Sequence, residues 1–276
     1  MGNYVTIASV RRTSGIGSTE INDTDVGNII TECEPQIERF FNTSFTPKTR
    51  IDVLDGNGTI RIFLTKNPVL TVRELKIDGD TEDPAHLHIY KESGKIELDT
   101  NQSLTNSTFK TGSNKIVIKY IYGWMEESTT STTSSSAETA GTDVSIAVGS
   151  ITDFADEDWI EIYGMDGKRE VAQINATPAA GAIQVDQLVH SHESGSTIVK
   201  LQVSEIFKKL MNIVCSLAMV ARIVGESYTD IVGYTMAEFS VQKGEPYTQW
   251  RETADQLIKE RDSLMAMLKP RPCVIV

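Results

Sequence analysis

The chain has 276 residues, 39% of them apolar, which suits one elaborated domain or two modest ones with a sizeable core. Its 26 basic residues against 38 acidic ones leave a net charge of −12, which argues against a wrapped nucleic-acid ligand, because phosphates need clustered Lys and Arg. Three cysteines are too few for a disulfide framework, and the opening MGNYVTIASVRR lacks the charged-then-apolar order of a signal peptide, so the expectation is a cytosolic, reduced protein.

Residues 1–21 read as an irregular arm. Gly15 and Gly17 do not make a phosphate loop, since no Lys-Ser/Thr pair follows them. MGNYVT fits the loose myristoylation pattern at Gly2, a match short enough to be chance. A first helix is predicted from Asn22 or Asp23, with Val26, Ile29, Ile30, Cys33, Ile37, Phe40 and Phe41 as its apolar stripe and a kink at Pro35.

From Phe45 to Gly123 the hydrophobic period changes to two. Thr49–Leu54 and Thr59–Leu64 flank Asp55-Gly56-Asn57-Gly58, the signature of a hairpin. Further strands are predicted at Val69–Ile77, His86–Tyr90, Lys95–Leu98 and Lys115–Tyr122, with turns at Asp78-Gly79 and Glu92-Ser93-Gly94. Ser128–Thr142 is polar and low in complexity and reads as a flexible linker. A second β set is predicted at Val144–Val148, Trp159–Tyr163, Arg169–Ala176, Ala182–Val185 and Thr197–Leu201.

Val203–Gly225 is the most apolar stretch. Ile206, Leu210, Ile213, Val214, Leu217, Val220, Ala221 and Val224 recur every three to four residues, Ser204 is placed to cap the start, and Gly225 to stop it. Lys208, Lys209, Asn212 and Arg222 interrupt the run, so it reads as a core helix rather than a membrane span. A short strand is expected at Tyr234–Gln242, a turn at Lys243–Pro246, then a last helix faced by Trp250, Ala254, Leu257, Ile258, Arg261, Leu264, Met265 and Leu268 that packs on the preceding one. Pro270 and Pro272 end it.

The chain therefore reads as α+β: an N-terminal helix, a small antiparallel β domain, an inserted second β module, and a C-terminal helical hairpin with an extended tail. The expected division is a core of 1–127 plus 203–269, a linker at 128–142, the inserted module at 143–202 and the tail at 270–276. In that tail Pro270, Arg271, Pro272, Cys273, Val274, Ile275 and Val276 form an apolar, proline-marked segment suited to adding a strand to a partner's open edge.

Little else suggests reaction chemistry. The four histidines form two pairs, His86-x-His88 and His190-x-His192, without a converging ligand set, and read as surface residues. Asp153, Asp156, Glu157 and Asp158 lack the order of a calcium loop. Six Asn-x-Ser/Thr sequons, at Asn22, Asn42, Asn57, Asn101, Asn106 and Asn175, fit a Thr-rich composition. Cys33 and Cys215 fall on apolar helix faces and read as buried thiols; Trp124, Trp159 and Trp250 read as core or interface anchors. The expectation is no enzyme, no cofactor and no metal.

The order of these segments resembles the head–tail connector (adaptor) proteins of tailed viruses and prophages. The residues that carry the resemblance are YVTIASVRRTSGIG with NDTDVGNIITECEPQIERFFNTSF, TRIDVLDGNGTIRIFLTKNPVLTVRELKIDG, IVIKYIYGW and SYTDIVGYTMAEFSV, within roughly 3–123 and 203–270. Residues 128–201 depart from that pattern and resemble a small β-barrel module of virion surface and tail proteins. The resemblance implies a homo-oligomeric, commonly dodecameric ring in the virion neck, assembled in the host cytoplasm. It docks on the portal protein, with its C-terminal tail reaching in, and bridges to the next neck or tail protein. DNA passes through an acidic lumen without adhering, and no membrane is involved. A different reading is a virion binding module for a glycan or receptor, with Trp159, Tyr163 and Asp158 as its contact residues. A hydrolase in the β domain is a third, for which no acid, base and nucleophile stand out.

Overall fold

A computed structural model of the chain describes residues 4–102, 104–165, 167–224 and 246–268. The fold is α+β, 29% helical and 38% strand. It divides into two compact units, a helical one drawn from Met1–Phe45 and Val203–Val276 and a β one spanning Thr46–Gln202.

The helical unit holds α1 (Ile7–Ser14), α2 (Asp23–Phe41), α3 (Glu205–Val224) and α4 (Pro246–Leu268). α1 lies where the sequence suggested only an arm. Its start is fixed by a reciprocal cap: Thr6 Oγ1 accepts from the Ser9 amide at 3.2 Å, and Ser9 Oγ accepts from the Thr6 amide at 3.1 Å. Serine in place of the usual Glu or Gln hides this box from a pattern reading. α2 starts where expected, with Asn22 Oδ1 accepting from the Asp25 amide at 2.9 Å. It runs through Pro35, and its buried stripe ends at Ile37; Phe40 is exposed.

α3 is the core of this unit. All nine residues from Ile213 to Ala221 are buried, because α1, α2 and α4 each pack against it. The expected one-sided stripe was too narrow: Phe207, Met211, Cys215 and Met219 are also buried, whereas Ile206 is exposed. The Ser204 hydroxyl does not cap the helix. It is buried and makes no hydrogen bond, while the Ser204 carbonyl accepts from the Lys208 amide at 2.9 Å. Phe207 stacks on Phe45 with ring centroids 3.3 Å apart, and Tyr4 meets Phe207 edge-on at 5.0 Å. Gly225, the strand expected at Tyr234–Gln242, the turn at Lys243–Glu245 and the Trp250 side chain lie outside the described residues.

The β unit begins with β1 (Lys48–Gly56), β2 (Arg61–Phe63), β3 (Val69–Ile77), β4 (Asp80–Glu82), β5 (Leu87–Tyr90), β6 (Lys95–Leu98) and β7 (Gly112–Tyr122). They form a four-stranded sheet, β1-β7-β3-β4, and a three-stranded sheet, β2-β6-β5. Ile62, Ile96 and Leu98 of the smaller sheet share one core with Val72, Leu75, Ile116, Ile118 and Tyr120 of the larger. The hairpin expected between β1 and β2 is absent. β1 pairs with β7 and β2 with β6, so the Gly-rich turn carries the chain from one sheet to the other. The Gly58 amide donates to Phe109 O at 2.7 Å, which holds the crossing against the far segment.

β8 (Met125–Thr133), β9 (Gly141–Ala147), β10 (Trp159–Tyr163), β11 (Arg169–Gln173), β12 (Ala182–Leu188) and β13 (Thr197–Val203) complete the unit. Their sheets run β11-β10-β13-β8 and β12-β9, around a core that includes Ile146, Ile160, Ile162, Ile174, Val185 and Ile198. Two expectations fail here. The Ser/Thr-rich stretch is no flexible linker: its first half is strand β8, whose backbone bonds to β13 do not depend on apolar side chains. The second β module is not a separate body. Leu70 and Ile121 of the first share a cluster with Val171 and Leu201 of the second. Arg73, buried on β3, donates to Val171 O at 3.1 Å and pairs with Asp186 at 3.1 Å.

Candidate functional site

The residues expected to engage a partner, Pro270 through Val276, lie outside the described residues. What is described is the helix that leads to them. α4 buries Ala254, Leu257, Arg261, Leu264 and Leu268. Lys209 of α3 reaches Glu260 of α4 at 2.6 Å, and Arg261 pairs with its neighbour Asp262 at 2.8 Å. Among the described residues, α4 thus packs on α3 through its buried face and the Lys209–Glu260 pair.

The β unit carries a cleft of about 530 Å³ beside Trp124. Its lining joins Trp124, Pro68, Leu70 and Leu201 with Glu92, Glu126 and an ion chain. Glu161, on β10 and nearly fully buried, accepts from Lys91 and from Arg169, whose Nη2 lies 2.8 Å from Glu161 Oε2. Arg169 also pairs with Glu127 and stands over the Tyr163 ring at 4.9 Å. Burial alone would raise the Glu161 carboxyl, but the bonds from Arg169 and Lys91 outweigh it and hold the pKa below the ordinary glutamate value. Sequence reasoning missed this network. Its one signal is a glutamate in the middle of the apolar strand Trp159–Tyr163, where both neighbours, Ile160 and Ile162, are buried.

The histidine pairs part company. His88 lies 3.7 Å from Asp99 at the surface, and His86 lies 4.0 Å from Asp83. His192 is not a surface residue. It is buried with Glu170, Nε2 to Oε1 at 2.8 Å, and Glu170 also accepts from the Val189 and His190 amides at 2.7 and 2.9 Å. The segment lies beyond β12, outside a strand, so the i, i+2 spacing does not by itself set His190 and His192 on one face. Burial lowers the His190 pKa. His88 and His190 line a common cleft of about 780 Å³, yet among the described residues no group of three or more His, Cys, Asp and Glu can hold a metal ion.

The remaining candidates are structural. Asp158 pairs with Lys200 at 2.6 Å and accepts from the Ala155 amide at 2.7 Å, which closes the acidic turn. Trp159 is half-buried and packs against the cluster of Leu70, Ile121, Val171 and Leu201. Cys33 and Cys215 are buried against each other between α2 and α3, and the Cys215 pKa is raised by its bond to Cys33 and by burial. Asn22 and Asn42 cap the two ends of α2, and Asn106 is buried on Glu82 at 2.9 Å, so these sequons serve the fold. Among the described residues no helix is long and apolar enough to cross a membrane.

No protein-family model and no curated protein matches the chain.

Proposed function

We propose that this chain is a structural virion protein, a head–tail adaptor that assembles into a homo-oligomeric ring. In this reading the ring docks on the portal, extends the DNA channel and bridges to the next neck or tail protein. The observation that carries it is the helical unit. Segments on either side of the β unit close into one body around α3, and α4, packed along α3, ends just before the apolar tail. A well-anchored helix that delivers a short apolar, proline-marked segment is a device for gripping a partner's sheet edge. The net charge of −12 supports passage of DNA without adhesion. Ring closure follows if identical copies join head-to-tail.

Deleting Pro270–Val276 tests the tail. The truncated chain is expected to keep its circular dichroism and melting temperature but to lose the ability to join heads carrying a portal. Normal joining by the truncated chain would remove the tail from the mechanism. Negative-stain images of the chain with and without portals then report on the ring itself.

A further inference from the structure

Nine large apolar side chains stand exposed among the described residues, and five of them fall on two faces of one sandwich. Residues alternate in and out along a strand. The core shared by the β1-β7-β3-β4 and β2-β6-β5 sheets therefore turns their other faces to opposite sides. On the larger sheet the outward face carries Ile51 at 60% exposure, Val53 at 54% and Val117 at 36%, with Val53 directly opposite Val117 and Ile51 opposite the exposed Lys119. Farther along β7 on that face, Ile121 is buried with Val171 and Leu201. On the smaller sheet the outward face carries Phe63 at 60% and Tyr90 at 44%, one on each side of Lys95. Lys95 Nζ stands 3.5 Å from the centre of the Tyr90 ring. In the next row Arg61 pairs with Glu97 at 2.9 Å, with the guanidinium turned outward and the carboxylate inward.

The two faces are unlike, one aliphatic and one aromatic with outward cations, and that difference selects the occupant. Two-fold pairing of the aromatic face with itself sets Arg61 and Lys95 against their own copies. Pairing it with the aliphatic face of another copy lays its rings on β-branched side chains, a favoured contact between strands, and offers Lys119 the open side of the Phe63 ring. Because the faces point to opposite sides, each copy can be met by two neighbours. We propose that the aromatic face of one copy packs on the aliphatic face of the next, around Phe63 and Tyr90 on one side and Ile51, Val53 and Val117 on the other. The proposal rests on the ring reading for closure alone; the contact itself belongs to the purified chain. Three strands about 4.8 Å apart and three or four residues long present roughly 190 Å². A stable pair needs about 800 Å² from each partner, so two copies hold each other weakly and association rises with concentration.

The full chain is followed by sedimentation velocity from about 5 to about 300 μM. Its sedimentation coefficient is expected to rise with concentration, into species larger than a dimer. Phe63→Asp and Val53→Lys alter exposed sites, so each should keep a melting temperature close to that of the parent and stay monomeric over the same range. Mixed one to one, the two variants should form a dimer and nothing larger, because each retains the face that the other lacks. Two misfolded proteins would not recover a partner in this way. A parent chain that stays monomeric to about 300 μM, a variant that associates like the parent, or a mixture that stays monomeric where the parent associates would each overturn the proposal. Head joining is read separately. Unimpaired joining by Phe63→Asp keeps the adaptor reading and removes this contact, whereas association as described by a chain that joins no heads keeps the contact and removes the adaptor.

Discussion

Two buried phenols tie the stability of the fold to alkaline pH. Tyr4 donates to Glu38, and Tyr120 donates to Asp52 Oδ2 at 2.8 Å. Burial first, and the adjacent carboxylate second for Tyr4, push that phenol from 10.0 up to about 12; burial with Asp52 brings Tyr120 to about 12 as well. A folded pKa above the unfolded one means the protonated form is favoured by folding. The contribution is complete below pH 10 and is lost as the pH rises toward 12, about 2–3 kcal/mol for each phenol. Tyrosinate absorbance should therefore show Tyr4 and Tyr120 titrating late, together with the loss of ellipticity. Titration of Tyr4 and Tyr120 near pH 10 with the fold intact would contradict the two hydrogen bonds. A second residue-scale constraint is Gly56. A Cβ there would sit 1.6 Å from the Lys110 carbonyl oxygen, a backbone atom that cannot swing aside. Gly56→Ala is expected to cost on the order of 3 kcal/mol, read as a lower urea midpoint with an unchanged slope. A variant as stable as the parent would mean that the two segments are not in contact.

At the scale of elements, long periodic segments were readable and pairings were not. Val69–Ile77, Trp159–Tyr163 and Lys95–Leu98 fall where alternation puts them, because side-chain period is a local property. The same holds for α2, whose cap is written in Asn22. Which strand bonds to which depends on segments tens of residues apart. The Asp-Gly-Asn-Gly turn looks like a hairpin, but Gly56 opposes Gly112, and the register shift beyond Leu54 releases β1 before it can fold back on β2. β8 escaped notice for a related reason. A strand of Ser and Thr, buried only at Thr132 among its nine residues, carries almost no apolar pattern, though its β-branched threonines suit a sheet. α3 was located correctly and its environment underestimated. A stripe can be counted along one helix, whereas coverage on every side needs the helices from the other end of the chain. The Trp124 cleft shares this limit, since its ion chain joins residues 91, 127, 161 and 169 from four elements or loops.

For the whole molecule, the decisive feature is that the β segment closes on itself. All three of its apolar clusters are made of residues between 46 and 202, and Arg73 bonds Val171, Asp186 and Gln187 within the same span. A domain near 150 residues buries roughly 70% of the surface its unfolded chain exposes, enough to fold without help. The excised fragment 46–202 is therefore expected to be monodisperse, to show a β-type circular dichroism spectrum and to melt cooperatively. The helical remainder has a different character. α3 is covered by helices from both ends of the chain, so either end alone would leave buried faces such as Phe207, Met211 and Cys215 in water. A fragment 203–276 should aggregate or stay unfolded, and should gain helix when mixed with 1–45. If instead 46–202 is unfolded while 203–276 melts cooperatively by itself, the division into a self-contained β unit and a two-ended helical unit is wrong.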